Sequence, residues 1–158
     1  VGFAYYYAAR GLNADGIAEA AIRGSKVNER LSCAEFVGPS AGERLAASKG
    51  LIGGQHPDDF LDRLYYVFGT TMEAVDVAVA AIAIGLFCRD DVWLAIRMGA
   101  SIGGDTDTIA AIAGALSSLQ GDANNIPHFI TQRVLKANED LDLEKHARYI
   151  EKMSDIDD

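Results

Sequence analysis

The stretch VAVAAIAIGLFC, residues 77–88, constrains the fold of this chain more than any other. A helix of these residues is apolar on every side, so it must lie inside a larger protein or in a bilayer. A bilayer demands roughly 20 apolar residues, and this run stops at Arg89-Asp90-Asp91, too soon to span one. It is therefore read as a buried core helix over 72–87, in which Asp76 is the lone charge after Glu73. The length of 158 residues suffices to surround such a helix with a core that needs neither disulfide nor structural metal.

Apolar residues recur at helical spacing along the rest of the chain, and no convincing strand is found. A helix over 3–10 stops at Gly11. A second starts near Asn13 or Asp15 and reaches about residue 31, with Ile17, Ala20, Ala21, Val27 and Leu31 inward. Gly38-Pro39 breaks the chain. Ser40 stands three residues before Glu43, the spacing of a capping box, and opens a helix that ends near Gly50. After the connection Gly53-Gly54, Pro57 or Asp58 begins a helix carrying Phe60, Leu61, Leu64, Val67 and Phe68, closed by Gly69. Asp90 is the expected N-cap of a helix over 91–100, and residues 106–119 form an alanine- and glycine-rich helix. Pro127 suits the first turn of a helix to about 138. A last amphipathic helix covers about 140–153, with Leu141, Leu143, Ala147 and Ile150 apolar. About eight or nine helices with short loops imply one all-α domain over 1–158.

The net charge of −9 would repel a phosphate backbone, so nucleic acid is a poor partner. Cys33 and Cys88 show no pairing pattern and read as reduced thiols with packing roles, which places the protein in the cytosol. No signal peptide or membrane span is visible. The acidic end, 155–158, is the one segment read as disordered. The chain opens on Val1-Gly2-Phe3-Ala4, as if in mid-helix and without an initiator methionine, and is expected to be a fragment, a processed chain or a trimmed one.

The chemistry is concentrated in Ser101-Ile102-Gly103-Gly104-Asp105-Thr106-Asp107-Thr108. Two glycines let backbone approach a ligand closely. Two aspartates and a threonine hydroxyl then stand at the mouth of a helix. Hard cations such as Mg²⁺ take oxygen ligands of this kind, and the helix N-terminus favours phosphate nearby. A plainer reading is that Asp105 and Thr106 only cap the helix. Against it, capping needs one side chain, and the helix behind is almost bare: Ala110, Ala111, Ala113, Gly114, Ala115. Such a helix packs closely, so its mouth is expected to point inward, where uncompensated carboxylates are costly.

Residues 103–114, GGDTDTIAAIAG, resemble the C-terminal signature of the ADP-ribosylglycohydrolase family, which includes the dinitrogenase-reductase-activating glycohydrolases and the J1-type crystallins. Gly69-Thr70-Thr71-Met72-Glu73-Ala74-Val75 and Asn125-Ile126-Pro127 resemble the flanking segments in order. The resemblance implies an orthogonal all-α fold, a pair of Mg²⁺ ions (with Mn²⁺ as a substitute) and hydrolysis of the bond between ADP-ribose and a protein side chain. By position it makes Asp105, Asp107 and Thr108 metal ligands, with Asp105 the catalytic candidate among them. It puts Gly69, Thr70, Ser101, Ile102, Gly103 and Gly104 beside the substrate.

The family's fold is about twice this length. Its N-terminal half carries a catalytic acidic residue and a Thr-Asp-Asp cluster completing the metal site. Neither is found here: Thr70-Thr71-Met72-Glu73 is not that cluster, and Asp58-Asp59 follows Pro57. The chain reads as the C-terminal half of a longer enzyme, with a degenerate, non-catalytic relative of the crystallin kind as the alternative. His56, His128 and His146 lack ligand spacing and read as surface or packing residues. Glu73 is either a partner of the helix dipole or a support for the site. Asp76 needs a partner, a helix end or Arg97. Trp93, Tyr65, Tyr66 and Phe68 read as core rather than as a platform for adenine.

Overall fold

A computed structural model of the chain describes residues 1–31, 38–53, 56–121 and 125–154. Cys33, Gly54, the acidic end 155–158 and the side chains of Leu31 and Ile150 lie outside the described residues. Every regular element described is helical, as the periodicity predicts. Backbone contacts divide the chain into two compact units, Val1–Asn125 and Ile126–Asp158.

The first unit contains α1 (Gly2–Ala9), α2 (Ala14–Leu31), α3 (Ala41–Ser48), α4 (Pro57–Arg63), α5 (Ala74–Cys88), α6 (Val92–Ser101) and α7 (Thr106–Ser118). A 3₁₀ turn, Lys49–Leu51, follows α3, and a π-helical turn, Leu64–Phe68, extends α4. Helix α5 is the axis of this unit. Its Val77, Ala80, Ala81, Ala83, Ile84 and Cys88 pack with Phe60 and Leu64 below α4 and with Met98, Ile109 and Ala113 of α6 and α7. Its Val79, Ile82 and Leu86 pack on the other side, against Ala4, Ala8, Ile17, Leu45 and Leu116. Burial on both sides is why this helix has no polar face. Among the described residues no helix is long and apolar enough to cross a membrane.

The small residues of α7 do what their size suggests. A Cβ on Gly99 of α6 would lie 2.5 Å from the Ala110 Cα, and one on Gly114 would lie 2.7 Å from the Ile96 side chain. The α6–α7 pair can cross at that separation only with small residues at the contact, and the crossing carries the start of α7 to the loop before α5.

Several local readings shift. Ser40 occupies the N-cap of α3 without a capping hydrogen bond from its side chain, so that half of the expected capping box is not made. The core helix starts at Ala74, because Glu73 is extended at its N-cap and Met72 is solvent-exposed. Asp91, not Asp90, caps α6, its Oδ1 accepting from the Leu94 N–H at 2.9 Å. The π turn inserts an extra residue and breaks the i, i+3, i+4 pattern. Leu64 therefore stays inward while Val67 turns to solvent. Val27 is also exposed rather than inward.

Cys88 is buried, its Sγ 3.4 Å from the Met98 sulfur. Burial, with the nearby Asp91 charge adding to it, pushes its thiol up to about 12. Thiolate is the reactive form. At pH 8 iodoacetamide should label Cys88 roughly 100-fold more slowly in the native chain than in urea, read by mass spectrometry of the Cys88 peptide.

The second unit contains α8 (His128–Ala137) and α9 (Leu143–Ser154). Pro127 is the N-cap of α8, one position before the expected first turn. The Asn138 N–H closes that helix on the Val134 and Leu135 carbonyls, and Asp142 Oδ1 accepts the Lys145 N–H at the start of α9. Leu141 and Leu143 are exposed, as is Phe129.

Candidate functional site

The site is built where α7 begins. Gly103 and Gly104 both have positive φ, 91° and 76°. At Gly104 the requirement for glycine is absolute in space as well as angle: a Cβ there would lie 1.9 Å from the Thr70 carbonyl oxygen. That bare approach lets the Asp105 N–H donate to the Thr70 carbonyl at 2.9 Å. Thr70 is itself buried. Gly69, Thr70, Gly103 and Gly104 are thus brought together as one side-chain-poor wall. Ser101 ends α6 and turns its hydroxyl back to the Met98 carbonyl, while Ile102 packs into the core.

Asp105 occupies the N-cap of α7, yet its side chain makes no capping hydrogen bond. Its Oδ1 instead accepts from the Thr108 hydroxyl at 3.0 Å. The plainer reading, that this carboxylate is only a helix cap, therefore leaves its orientation unexplained. Asp107 lies within hydrogen-bonding reach of Asp105. A hydrogen bond from the Asp105 carboxyl, which can donate only while it holds the pair's proton, comes first, then the backbone N–H groups of Thr108 and Asp107; together they hold the Asp107 carboxyl below its ordinary range.

The helix mouth opens to solvent rather than inward. Asp105 is half-buried, and Asp107 and Thr108 are exposed. The cause is the phase of α7. Its core face is Ile109, Ala110, Ala113, Gly114, Leu116 and Ser117. Asp107 and Thr108 share the opposite face with Ala111, Ala115 and Ser118.

Tyr65 and Tyr66 are not core residues. Tyr65 is 46% exposed and Tyr66 78%, their rings edge-to-face at 5.1 Å on the π turn. A Cβ on Gly103 would lie 3.0 Å from the Tyr65 ring, so this ring stands over the glycine loop. Phe68 and Trp93 are half-buried. Asp76 pairs with Arg44 Nη1 at 2.8 Å, not with Arg97, which is exposed. Burial alone would raise the Asp76 carboxyl, but hydrogen bonds from Thr71 and Arg44 outweigh it and hold the group below its ordinary range. An open cleft of about 320 Å³ lined by Leu12, Asn13, Asp15, Arg89 and Gln120 lies at the far, C-terminal end of α7.

The histidines stay out of the site. His56 and His128 are exposed, the former accepting the Asp58 N–H at the start of α4, and His146 contacts the Asp142 carbonyl. Among the described residues no three His, Cys, Asp or Glu side chains gather as a metal-holding group.

The family model described as ADP-ribosylglycohydrolase matches residues 1–156. The chain belongs to the ADP-ribosylglycohydrolase family. No curated protein and no solved structure gives a significant match. Membership supports activity of the glycohydrolase type in general, and the all-helical architecture of the described residues agrees with it. In this family member the sequence pattern marks Asp105–Thr108 as the candidate site; it gives no sign of Arg44, and it reads as core the Tyr65 ring that stands over the glycine loop. The lone charge on α5 signalled that Asp76 had a partner; nothing signalled which residue it was.

Proposed function

We propose that this ADP-ribosylglycohydrolase family member hydrolyses the glycosidic bond between ADP-ribose and a protein side chain, or a related ADP-ribosyl compound, with Mg²⁺ bound. The observation that carries this is the Asp105 carboxylate. It stands at a helix mouth, relieved of capping and oriented by the Thr108 hydroxyl.

The donor set fits a hard cation: two carboxylates in mutual reach, Asp105 and Asp107, and the hydroxyl of Thr108, all oxygen. Mg²⁺, or Mn²⁺ in its place, would be held by these three. A pair of ions needs more ligands than that. We assign the remainder to residues outside the described ones, in an N-terminal portion of which this chain is the C-terminal continuation. Bound cations would offset the charge of the diphosphate and polarise the bond to be cleaved.

The chain's own residues do the rest. The wall of Gly69, Thr70, Gly103 and Gly104 lets a phosphate or ribose lie against backbone, with Ser101 and Ile102 anchoring its α6 side. Asp105 is the catalytic candidate, its carboxylate at the helix mouth able to accept a hydrogen bond from water. Water's oxygen adds to the sugar carbon, the glycosidic bond breaks, and a proton reaches the leaving side chain. The partner is an ADP-ribosylated protein in the cytosol.

Tyr65 fits a role beside this wall. Stacking on an aromatic ring is worth about 1–3 kcal/mol per base. Tyr65→Ala should raise KM about tenfold with kcat nearly unchanged, measured by steady-state kinetics. An unchanged KM would remove the ring from the substrate site.

That no third His, Cys, Asp or Glu joins Asp105 and Asp107 among the described residues favours a second reading, a non-catalytic protein of the crystallin kind on the same fold. A fluorescent ADP-ribosylated protein, incubated with the full-length protein, separates the two. Release of ADP-ribose with Mg²⁺, stopped by a chelator, supports the enzyme. Substrate intact at saturating Mg²⁺ supports the non-catalytic reading.

A further inference from the structure

We infer that the Arg44–Asp76 ion pair is a positioning device for the carboxylate loop, acting through Thr71 and the Thr70 carbonyl on Asp105. Its functional meaning rests on the reading of Asp105, Asp107 and Thr108 as cation ligands.

Asp76 is a charge in the first turn of an otherwise apolar helix, and an unpaired, shielded carboxylate there would be costly. Arg44 of α3 pairs with it at 2.8 Å, both side chains being more than four-fifths shielded, at 14% and 16% exposure. The pair could end there as a tie between α3 and α5. It does not, because the second carboxylate oxygen is committed elsewhere. Oδ2 accepts from the Thr71 hydroxyl at 2.7 Å and the Thr71 N–H at 3.2 Å. That hydroxyl in turn accepts the Glu73 N–H at 3.3 Å, so the turn into α5 is bonded along its length.

Gly69 shows how tightly the loop is wrapped on this carboxylate. Its φ is 84°, and a Cβ there would lie 2.8 Å from Asp76 Oδ2. The Gly69 N–H is held by the Leu64 carbonyl at the end of the π turn. Thr70 is therefore gripped from both sides, and the backbone bond it makes to another element runs to the Asp105 N–H. Any displacement of the Thr70 carbonyl must move the Asp105 backbone, because Gly104 leaves no slack between them. Arg44 and Asp76 touch neither substrate nor cation in this scheme. They set where the Asp105 carboxylate stands, as outer partners orient the ligands of metal sites generally.

The test has two arms. In the first, amide hydrogen exchange of the metal-free protein is followed by NMR in the wild type, Asp76→Asn and Thr71→Ala. Both variants should speed exchange of the Asp105 amide about tenfold or more while leaving the Ile84 amide in the middle of α5 unchanged. Thr71 is exposed, so its variant keeps the core intact if Asp76→Asn does not fold. An Asp105 amide as protected as in the wild type, or one that loosens only in step with Ile84, overturns the inference. In the second arm Mn²⁺ is titrated by calorimetry, and the variants should bind about tenfold more weakly. Wild-type affinity in Thr71→Ala also overturns it. A wild type that binds no Mn²⁺ sinks the cation reading alone, since the exchange arm still decides whether the pair positions the loop.

Discussion

Asp107→Ala should abolish cation-dependent hydrolysis while leaving the fold intact. The two effects separate because of where this residue sits. Asp107 is on the solvent face of α7 and packs against nothing in the core. Its removal costs the helix little more than the favourable interaction of an acidic group with the N-terminal dipole, which solvent screens at so exposed a position. The site, by contrast, loses one of its two carboxylates. Loss of a partner that only orients a ligand already weakens metal binding about 10–100-fold, so loss of the ligand itself should exceed about 100-fold. A fall of about 1000-fold in turnover, some 4 kcal/mol in the barrier, is expected. Calorimetric titration of Mn²⁺, release of ADP-ribose and far-UV circular dichroism measure the three quantities. A variant that titrates Mn²⁺ like the wild type removes Asp107 from the ligand set.

The second large effect is expected at Gly104. An alanine there must place a methyl group 1.9 Å from the Thr70 carbonyl oxygen, at a φ of 76° that L residues rarely adopt. The contact is with backbone, so no side chain can swing aside. The loop must move, and the Asp105–Thr70 hydrogen bond must break. Overpacking, backbone strain and the lost bond together should cost about 3 kcal/mol. For a chain of this size that lowers the unfolding temperature by roughly 6–12 °C. Hydrolysis should fail as well, since Asp105 is displaced. Gly50 is the control: a Cβ there meets nothing within 4 Å, and Gly50→Ala should leave the melting curve in place. A Gly104→Ala protein that melts with the wild type would show that the two backbones do not meet.

Acid should loosen the same region. The Asp76 carboxyl lies below its ordinary range in the folded chain, so its stabilising contribution is complete above that range. It is lost as pH falls through the lowered value. Measured against the intrinsic exchange rate at each pH, protection of the Asp105 amide should therefore fall below the ordinary carboxylate range before the α5 core gives way.

Much of this was legible without coordinates because it is local. The helices follow from apolar spacing, and α5 is buried on both sides because it carries no polar face. The small residues of α7 announce a close crossing, which Gly99 and Ala110 make. The acidic pair at the mouth of α7 is visible as a string. Other readings failed for physical reasons that a string does not carry. One extra residue in the π turn moved Val67 and Tyr65 outward. The phase of α7 turned Asp107 and Thr108 to solvent although the helix itself is deeply packed.

The sequence by itself determined the helical class, the central helix and the family, and it singled out the candidate oxygen donors. These depend on residues within a few positions of one another, where helical geometry alone dictates which side chains are neighbours. The tertiary structure decided which distant residues meet: Thr70 with Asp105, Arg44 with Asp76, Tyr65 with Gly103. Each pair is joined across separate helices. Their meeting depends on the packing of α3, α5, α6 and α7 and on the angles of Gly69 and Gly104, which no periodicity specifies.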